Sequence, residues 1–343
     1  MNQLSSPWSY NVGKLPISPA LVLSPMSGVT TSSFRRLIKE LNPGSVGLVV
    51  TEFISVEAMT RKVPRTLSMM RYLPEERPFA IQIFGYDIER MRDSALMCQD
   101  AGVDLVDINC GCPAPKVVRK GGGCELMRQP EHLTNIIREV RKVLQIPLTI
   151  KFRSGWDASS QNAVEIARIA ESEGVDGVAI HGRTRSQLYR GDADWDLVAT
   201  VKKLVKIPVC GSGDVVDRAS ALHRFSLGVD GLFIGRAAMS NPFVFSEITS
   251  GVHVDLKRDP LRAINILERY ISLLSEEFNA KASIGKVKQL ASQMCRGHEW
   301  RKPLLAAKDL KEQQQILAKA KDLGGLWPRV NREGEVRIGK DSL

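Results

Sequence analysis

Cys110-Gly111-Cys112 and Cys124 put three thiols within fifteen residues. A tetrahedral metal site takes four ligands, usually with a Cys-x-x-Cys pair. Cys-x-Cys with one distant cysteine and no nearby histidine fits that pattern poorly, so no metal is expected. Cys98, Cys110 and Cys124 read as structural thiols. Cys112 differs, because Pro113 follows it and the loop beyond holds Lys116, Arg119, Lys120 and three glycines, Gly121, Gly122 and Gly123. A thiol presented on a mobile loop of that kind can reach a substrate.

Other polar groups stand at the ends of short apolar runs. They are Pro25-Met26-Ser27, Thr51-Glu52, Gln82, Asn109, Lys151 and Arg153, His181-Gly182-Arg183-Thr184, Ser212-Gly213-Asp214 and Gly235-Arg236. Glycines in the last two clusters open the backbone so that N–H groups can wrap a phosphate, and Arg236 adds a charge. Ordinary left-handed turn glycines are the other reading of the same residues.

Positioning so many groups on one rim requires a repeating scaffold. Residues 21–24, 47–51, 79–84, 104–109, 148–152, 177–181, 208–211 and 231–235 are near-continuous apolar runs, the pattern of strands buried on both faces. Amphipathic stretches separate most of them, for example residues 87–101 and 130–144. Gly-Val-Asp recurs at residues 102–104, 174–176 and 228–230, each time between a helical pattern and a strand. Glycine suits a helix C-cap and aspartate the tight turn that follows. Eight such units predict an α/β chain folded as a (β/α)8 TIM barrel, whose chemistry sits at the C-terminal ends of the strands. The alternation stops near Gly251. Residues 260–323 read as three helical segments, a small bundle. The expected organisation is an N-terminal extension (residues 1–18), a barrel (19–250), a helical domain (251–323) and a flexible tail (324–343).

The chain has 343 residues, 43% hydrophobic and 25% charged, enough apolar mass for a full core. It has no apolar run long enough to span a membrane and no secretory pattern, and its cysteines are sparse, which together predict a reduced, cytoplasmic protein. Charge is uneven. Residues 1–256 carry 30 Lys/Arg against 27 Asp/Glu, whereas residues 257–343 carry 18 against 11, so the last quarter holds +7 of the net +10. That excess fits either a solvated helical surface or a footprint for a polyanion, nucleic acid ahead of anionic lipid.

Taken together, Pro25-Met26-x-Gly28-Val29-Thr30, Thr51-Glu52, Gln82, Asn109-x-Gly111-Cys112-Pro113, Lys151-x-Arg153, His181-Gly182-Arg183-Thr184 and Gly235-Arg236 resemble the tRNA-dihydrouridine synthases, over residues 19–248. The resemblance implies an FMN-binding barrel followed by a tRNA-binding helical domain. It implies that NADPH reduces FMN, that the flavin passes hydride to C6 of a D-loop uracil, and that Cys112 protonates C5. Pro25, Met26, Ser27, Gln82, Lys151, His181, Ser212, Gly213, Asp214, Gly235 and Arg236 are then expected around the flavin. Gln82 would bond the isoalloxazine edge, and Lys151 and His181 would act as cations beside the ring. Asn109, Arg153 and Tyr189 are candidates for the uracil. Lys286, Lys288, Arg296, Arg301 and Lys302 are candidates for tRNA phosphates. Ser212 stands where the family usually has Asn, and Thr31, read as a helix N-cap, where Asp is common. A monomer with no obligate protein partner is expected. The competing readings are a flavin dehydrogenase of a free pyrimidine, which the basic helical region argues against, and an RNA-binding protein on a catalytically dead barrel, which the intact Cys112, Lys151 and His181 argue against.

Overall fold

The computed structural model describes residues 8–330 and 336–337. Eleven strands precede the C-terminal helices: β1 Tyr10–Val12, β2 Leu15–Ile17, β3 Leu21–Leu23, β4 Leu48–Val50, β5 Ile54–Ser55, β6 Phe79–Phe84, β7 Leu105–Cys110, β8 Leu148–Arg153, β9 Gly177–His181, β10 Val209–Ser212 and β11 Gly231–Ile234. β3, β4 and β6 to β11 pair in parallel, and β11 returns to β3, which closes an eight-stranded barrel. Helices such as Ile88–Asp100 and Pro130–Val143 fill the crossovers. The expected (β/α)8 fold is what the chain adopts, with strand ends within a residue of those expected.

The Gly-Val-Asp repeat carries one device three times. Gly102, Gly174 and Gly228 each take a positive φ after a helix, where a side chain would be strained. The following aspartates each accept the first N–H of the preceding barrel strand: Asp104 from Phe79 (2.8 Å), Asp176 from Leu148 (2.9 Å) and Asp230 from Val209 (2.7 Å). A cation meets each carboxylate, from Arg77, Arg141 and Lys202 respectively. The motif therefore staples neighbouring strands at the N-terminal end of the barrel.

Residues 1–18, expected as a plain extension, contain the antiparallel hairpin β1–β2 in their described part. Val12 and Ile17 pack with the inward-facing Val22, Leu48, Leu105, Ala179 and Cys210, so the hairpin plugs the end of the barrel opposite the site. The C-terminal region forms four helices, Pro260–Glu277, Ala280–Met294, Arg301–Ala306 and Leu310–Asp322. The third expected segment thus divides in two. The break falls at Asp309, whose carboxylate accepts the Glu312 N–H (2.8 Å) while Glu312 accepts the Lys308 N–H (2.6 Å), an N-capping exchange. The expected flexible tail falls mostly on residues 331–335 and 338–343, outside the described residues. Within it, Arg329–Val330 pairs antiparallel with Val336–Arg337. No described helix is long and apolar enough to cross a membrane.

Candidate functional site

A cavity of about 1390 Å³ opens at the C-terminal ends of the barrel strands. Pro25, Met26 and Ser27 enter it after β3, Asn109 and Cys112 from the end of β7, Lys151 and Arg153 from β8, and His181 and Tyr189 from and after β9. Ser212, Gly213 and Asp214 follow from β10, and Gly235 and Arg236 after β11. One expected residue stands apart. Gln82 is fully buried below the wall, where its amide donates to Asp107 (2.6 Å) and accepts from Asn109 (2.7 Å).

Of the three clustered thiols only Cys112 lines the cavity. Its loop is fastened rather than mobile. Asn109 Oδ1 accepts the Cys112 N–H at 2.9 Å, and the Cys112 carbonyl accepts the Cys124 N–H at 3.1 Å. Burial pushes the Cys112 thiol up, against a lowering by the Ala114 backbone and Arg153, so it is protonated at neutral pH. Cys110 points into the layer between strands and helices and is pushed much further up by burial, and Cys124 reaches about 12 for the same reason.

Arg153 is 3% exposed and ties the loops after β7 and β9 together. It donates to the carbonyls of Gly111 (3.0 Å), Thr184 (3.0 Å) and Leu188 (2.9 Å). Its guanidinium also lies 5.8 Å from the centroid of the exposed Tyr189 ring. Lys151 is brought down to about 8, chiefly by burial and then by Arg153, with Asp107 opposing. His181 is pushed down to about 2 by burial and by Lys151, Arg153, Arg183 and Arg236. The expected cation at His181 is therefore corrected: the ring is neutral, because a buried imidazole among four cations cannot hold a proton.

At the ends of β10 and β11, Gly213 has a φ of +114°, and an added Cβ would lie 2.7 Å from Ala193 Cβ and 3.0 Å from His181 Cδ2. Among the described residues, the N–H groups of Gly213, Asp214 and Val215 make no hydrogen bond. The Asp214 side chain faces away from that role. It accepts from the Ala193 N–H (2.8 Å) and Arg183 (2.9 Å) and stands 3.6 Å from Arg236. Although burial opposes it, these partners hold its carboxyl below the ordinary value.

Several wall groups were not singled out from sequence. Phe233, with Lys151 Nζ 5.9 Å from its ring centroid, needed the inward parity of β11. Lys257, Gln293 and Met294 come from the C-terminal region, and nothing in their sequence says where that region docks; Arg296, expected at tRNA phosphates, lines the same cavity. Thr31 does sit at the N-cap of Ser32–Leu41, but without the side-chain capping bond.

An eight-stranded parallel barrel with a deep cationic and thiol-bearing cavity at its C-terminal rim defines a TIM-barrel enzyme. The family model described as dihydrouridine synthase matches residues 22–323. The tRNA-dihydrouridine synthase B of Pseudomonas syringae pv. tomato is 37% identical over 241 residues, 70% of this chain and 71% of that protein. The probable tRNA-dihydrouridine synthase of Rickettsia conorii is 37% identical over 239 residues, 69% of this chain and 71% of that one. The chain belongs to the dihydrouridine synthase family, and is an oxidoreductase. A solved 2-naphthoyl-CoA reductase in complex with 2-naphthoyl-CoA shares the fold at a TM-score of 0.55 and 14% identity, covering 72% of this chain and 52% of that one. This chain thus spans about half the length of that reductase.

Proposed function

We propose that the protein is a tRNA-dihydrouridine synthase that saturates the C5=C6 bond of a D-loop uridine, using FMN and, as reductant, NADPH. The observation that carries this reading is Cys112, the one thiol of the cluster on the cavity wall, protonated, with the buried Arg153 acting on it and Lys151 lining the same cavity.

The residues present fit a flavin. His181 Nε2 and Ser24 Oγ are buried without a partner among the described residues, at a wall that also presents side-chain-free backbone at Gly213. Those backbone N–H groups, with Ser212, Gly235 and Arg236, would hold the phosphate. Pro25, Met26, Ser27, Lys151 and His181 would hold the ring, and Gln82 would support them from the layer below. When bound and reduced, FMN supplies hydride at C6. Cys112 supplies the proton at C5 from the other side of the bond, as a general acid whose raised pKa keeps it loaded. Lys151 offsets negative charge that develops beside it in a water-poor site. Tyr189, exposed at the mouth, and the buried Arg153 beneath it would meet the uracil. A base inside folded tRNA has to be flipped out to reach such a cavity. Phosphate contacts from the basic C-terminal region offset that cost. A cytoplasmic monomer acting on tRNA alone completes the reading.

Single-turnover oxidation of the reduced, flavin-loaded protein tests it. Unmodified tRNA should oxidise the flavin and free uridine should not. Cys112→Ala should keep flavin and its reduction by NADPH but slow oxidation by tRNA ~10²–10⁴-fold, the range for a lost general acid. Cys110→Ala and Cys124→Ala should oxidise near the wild-type rate. Faster oxidation by free uridine than by tRNA would replace this reading with a free-pyrimidine reductase.

A further inference from the structure

Gln82, Asp107 and Thr149 are direct register partners across β6, β7 and β8. Register partners on parallel strands point to the same side, and residues two apart on a strand share a face. Asn109 therefore stands directly above Asp107, between it and the cavity. A chain of short hydrogen bonds joins them. Thr149 Oγ1 donates to Asp107 Oδ1 and Gln82 Nε2 to Asp107 Oδ2, both at 2.6 Å. Asn109 Nδ2 donates to Gln82 Oε1 at 2.7 Å. Asn109 Oδ1 accepts the N–H groups of Cys112 at 2.9 Å and Gly111 at 3.2 Å. Every donor in the chain points toward Asp107.

The direction matters because a side-chain amide has two ends of similar size and opposite hydrogen-bonding character. Only one sense of Asn109 sets an acceptor against the two backbone N–H groups of the thiol loop. The other sense would set donors against donors. Asn109 keeps its sense while Gln82 offers it an oxygen. Gln82 does so because its nitrogen faces a carboxylate, which accepts and does not donate. Buried polar groups left without such partners are costly, so the chain is specified as a unit.

We propose that Asp107 is a positioning residue for Cys112: it fixes the sense of Gln82, and through it of Asn109, and so holds the thiol at the cavity wall. The inference rests on Cys112 being the proton donor of the proposed reaction. The alternative role for Asp107 is a counter-charge to Lys151. Two substitutions of similar size separate the roles. Asp107→Leu removes both charge and acceptor. Asp107→Asn removes the charge but keeps an oxygen for Gln82, since the Thr149 hydroxyl can turn to accept from the new amide.

The test uses the full flavin-loaded chain with two readouts: single-turnover oxidation of reduced flavin by unmodified tRNA, and alkylation of Cys112 by iodoacetamide followed by peptide mass spectrometry. Asp107→Leu should slow oxidation about 10²-fold and raise the Cys112 alkylation rate about tenfold, the scale of a reacting group displaced by about an ångström. Asp107→Asn should recover most of both losses. If Asp107→Leu does not fold, Gln82→Met breaks the next link while leaving Asp107 and Lys151 in place, and should give the same pair of changes. Asp107→Asn as impaired as Asp107→Leu would overturn the proposal in favour of the counter-charge. Wild-type alkylation in Asp107→Leu or Gln82→Met would overturn it outright. Rapid oxidation in Cys112→Ala would instead sink the proton-donor reading, and the alkylation readout would still decide whether Asp107 positions the loop.

Discussion

Lys151 and His181 show how far burial among like charges sets the chemistry of a residue. Both line the same cavity, Lys151 near Arg153 and His181 near Lys151, Arg153, Arg183 and Arg236, and both lose affinity for a proton there. With a pKa of about 8, Lys151 is only partly charged in mildly alkaline solution. An anionic or electron-rich ligand beside it favours the charged form. Binding of FMN to the apoprotein at pH 8 is therefore expected to take up a fraction of a proton. Calorimetry in buffers of different ionisation enthalpy measures that uptake, and Lys151→Met should abolish it. A binding enthalpy that ignores the buffer would show that Lys151 does not face the ligand. The same shift has a stability sign. The unfolded chain binds the Lys151 proton more tightly than the fold does. The Lys151 contribution to ligand-free stability thus grows as the pH rises from about 8 toward the unfolded value of about 10.4, read as the difference between wild type and Lys151→Met, while the buried thiols with raised pKa values contribute with the opposite sign above their unfolded value. The sequence named both residues, because a cation and an imidazole at strand ends are conspicuous. It did not disclose their charge, since desolvation belongs to the packed assembly and not to any motif. Cys112 was separable from Cys110 for a simpler reason: the strand ends at Cys110, leaving Cys112 on the rim.

The barrel strands were legible because each is a short apolar run bracketed by turn residues. The hairpin β1–β2 was not, since Tyr10–Val12 and Leu15–Ile17 are short and interrupted by Asn11 and Pro16, unlike the continuous apolar runs of β3 and β4. The split before Leu310–Asp322 was in the sequence as Asp309-Leu310-Lys311-Glu312, but continuous helical periodicity on both sides hid it. At the ends of β10 and β11, element geometry decides how an anion could be held. Gly213 cannot take a side chain without straining its positive φ and crowding Ala193 and His181. Arg236 is 58% exposed, and its guanidinium lies 4.8 Å from the Tyr189 ring centroid, with Asp214 at 3.6 Å. Solvent screening reduces what one such charge contributes. Gly213→Ala should therefore weaken FMN more than Arg236→Ala does, by about 1–3 kcal/mol of backbone strain against about 1 kcal/mol for the charge. Equilibrium titration of apoprotein with FMN gives both numbers. A larger loss in Arg236→Ala would place the phosphate on the side chain and not on the backbone.

Across the whole molecule, the helical region is not an appendage. Phe34 and Leu37 of Ser32–Leu41 share one buried layer with Leu267, Tyr270 and Leu274 of Pro260–Glu277. Ser33 bonds Glu277 (2.6 Å), Arg36 pairs with Glu276 (2.6 Å), and Arg269 forks Glu40 at 2.7 and 2.8 Å. Cutting the chain near residue 250 would bare that layer, so truncation reports on stability before it reports on tRNA. Single charges are the cleaner probe, and the structure sorts them. Arg296, just past the end of Ala280–Met294, is exposed at the cavity rim, and among the described residues its side chain bonds only Gln293 (2.9 Å). Arg301 donates to the Ser292 carbonyl (2.9 Å), and Lys286 reaches the Gly28 carbonyl (3.3 Å) at the first barrel loop. Spacing along the sequence could not make that distinction, because all are cations on helical stretches. Arg296→Ala should leave the melting temperature unchanged and lower the slope of log K for tRNA against log salt by about one. Arg301→Ala should lower the melting temperature, through the lost link to the Ser292 carbonyl, while leaving the slope nearly intact. Thermal melts and binding titrations over a range of salt read the two quantities separately. An unchanged slope in Arg296→Ala would mean that the +7 of the last quarter is a solvated surface at that point, and that the phosphates lie elsewhere on the molecule.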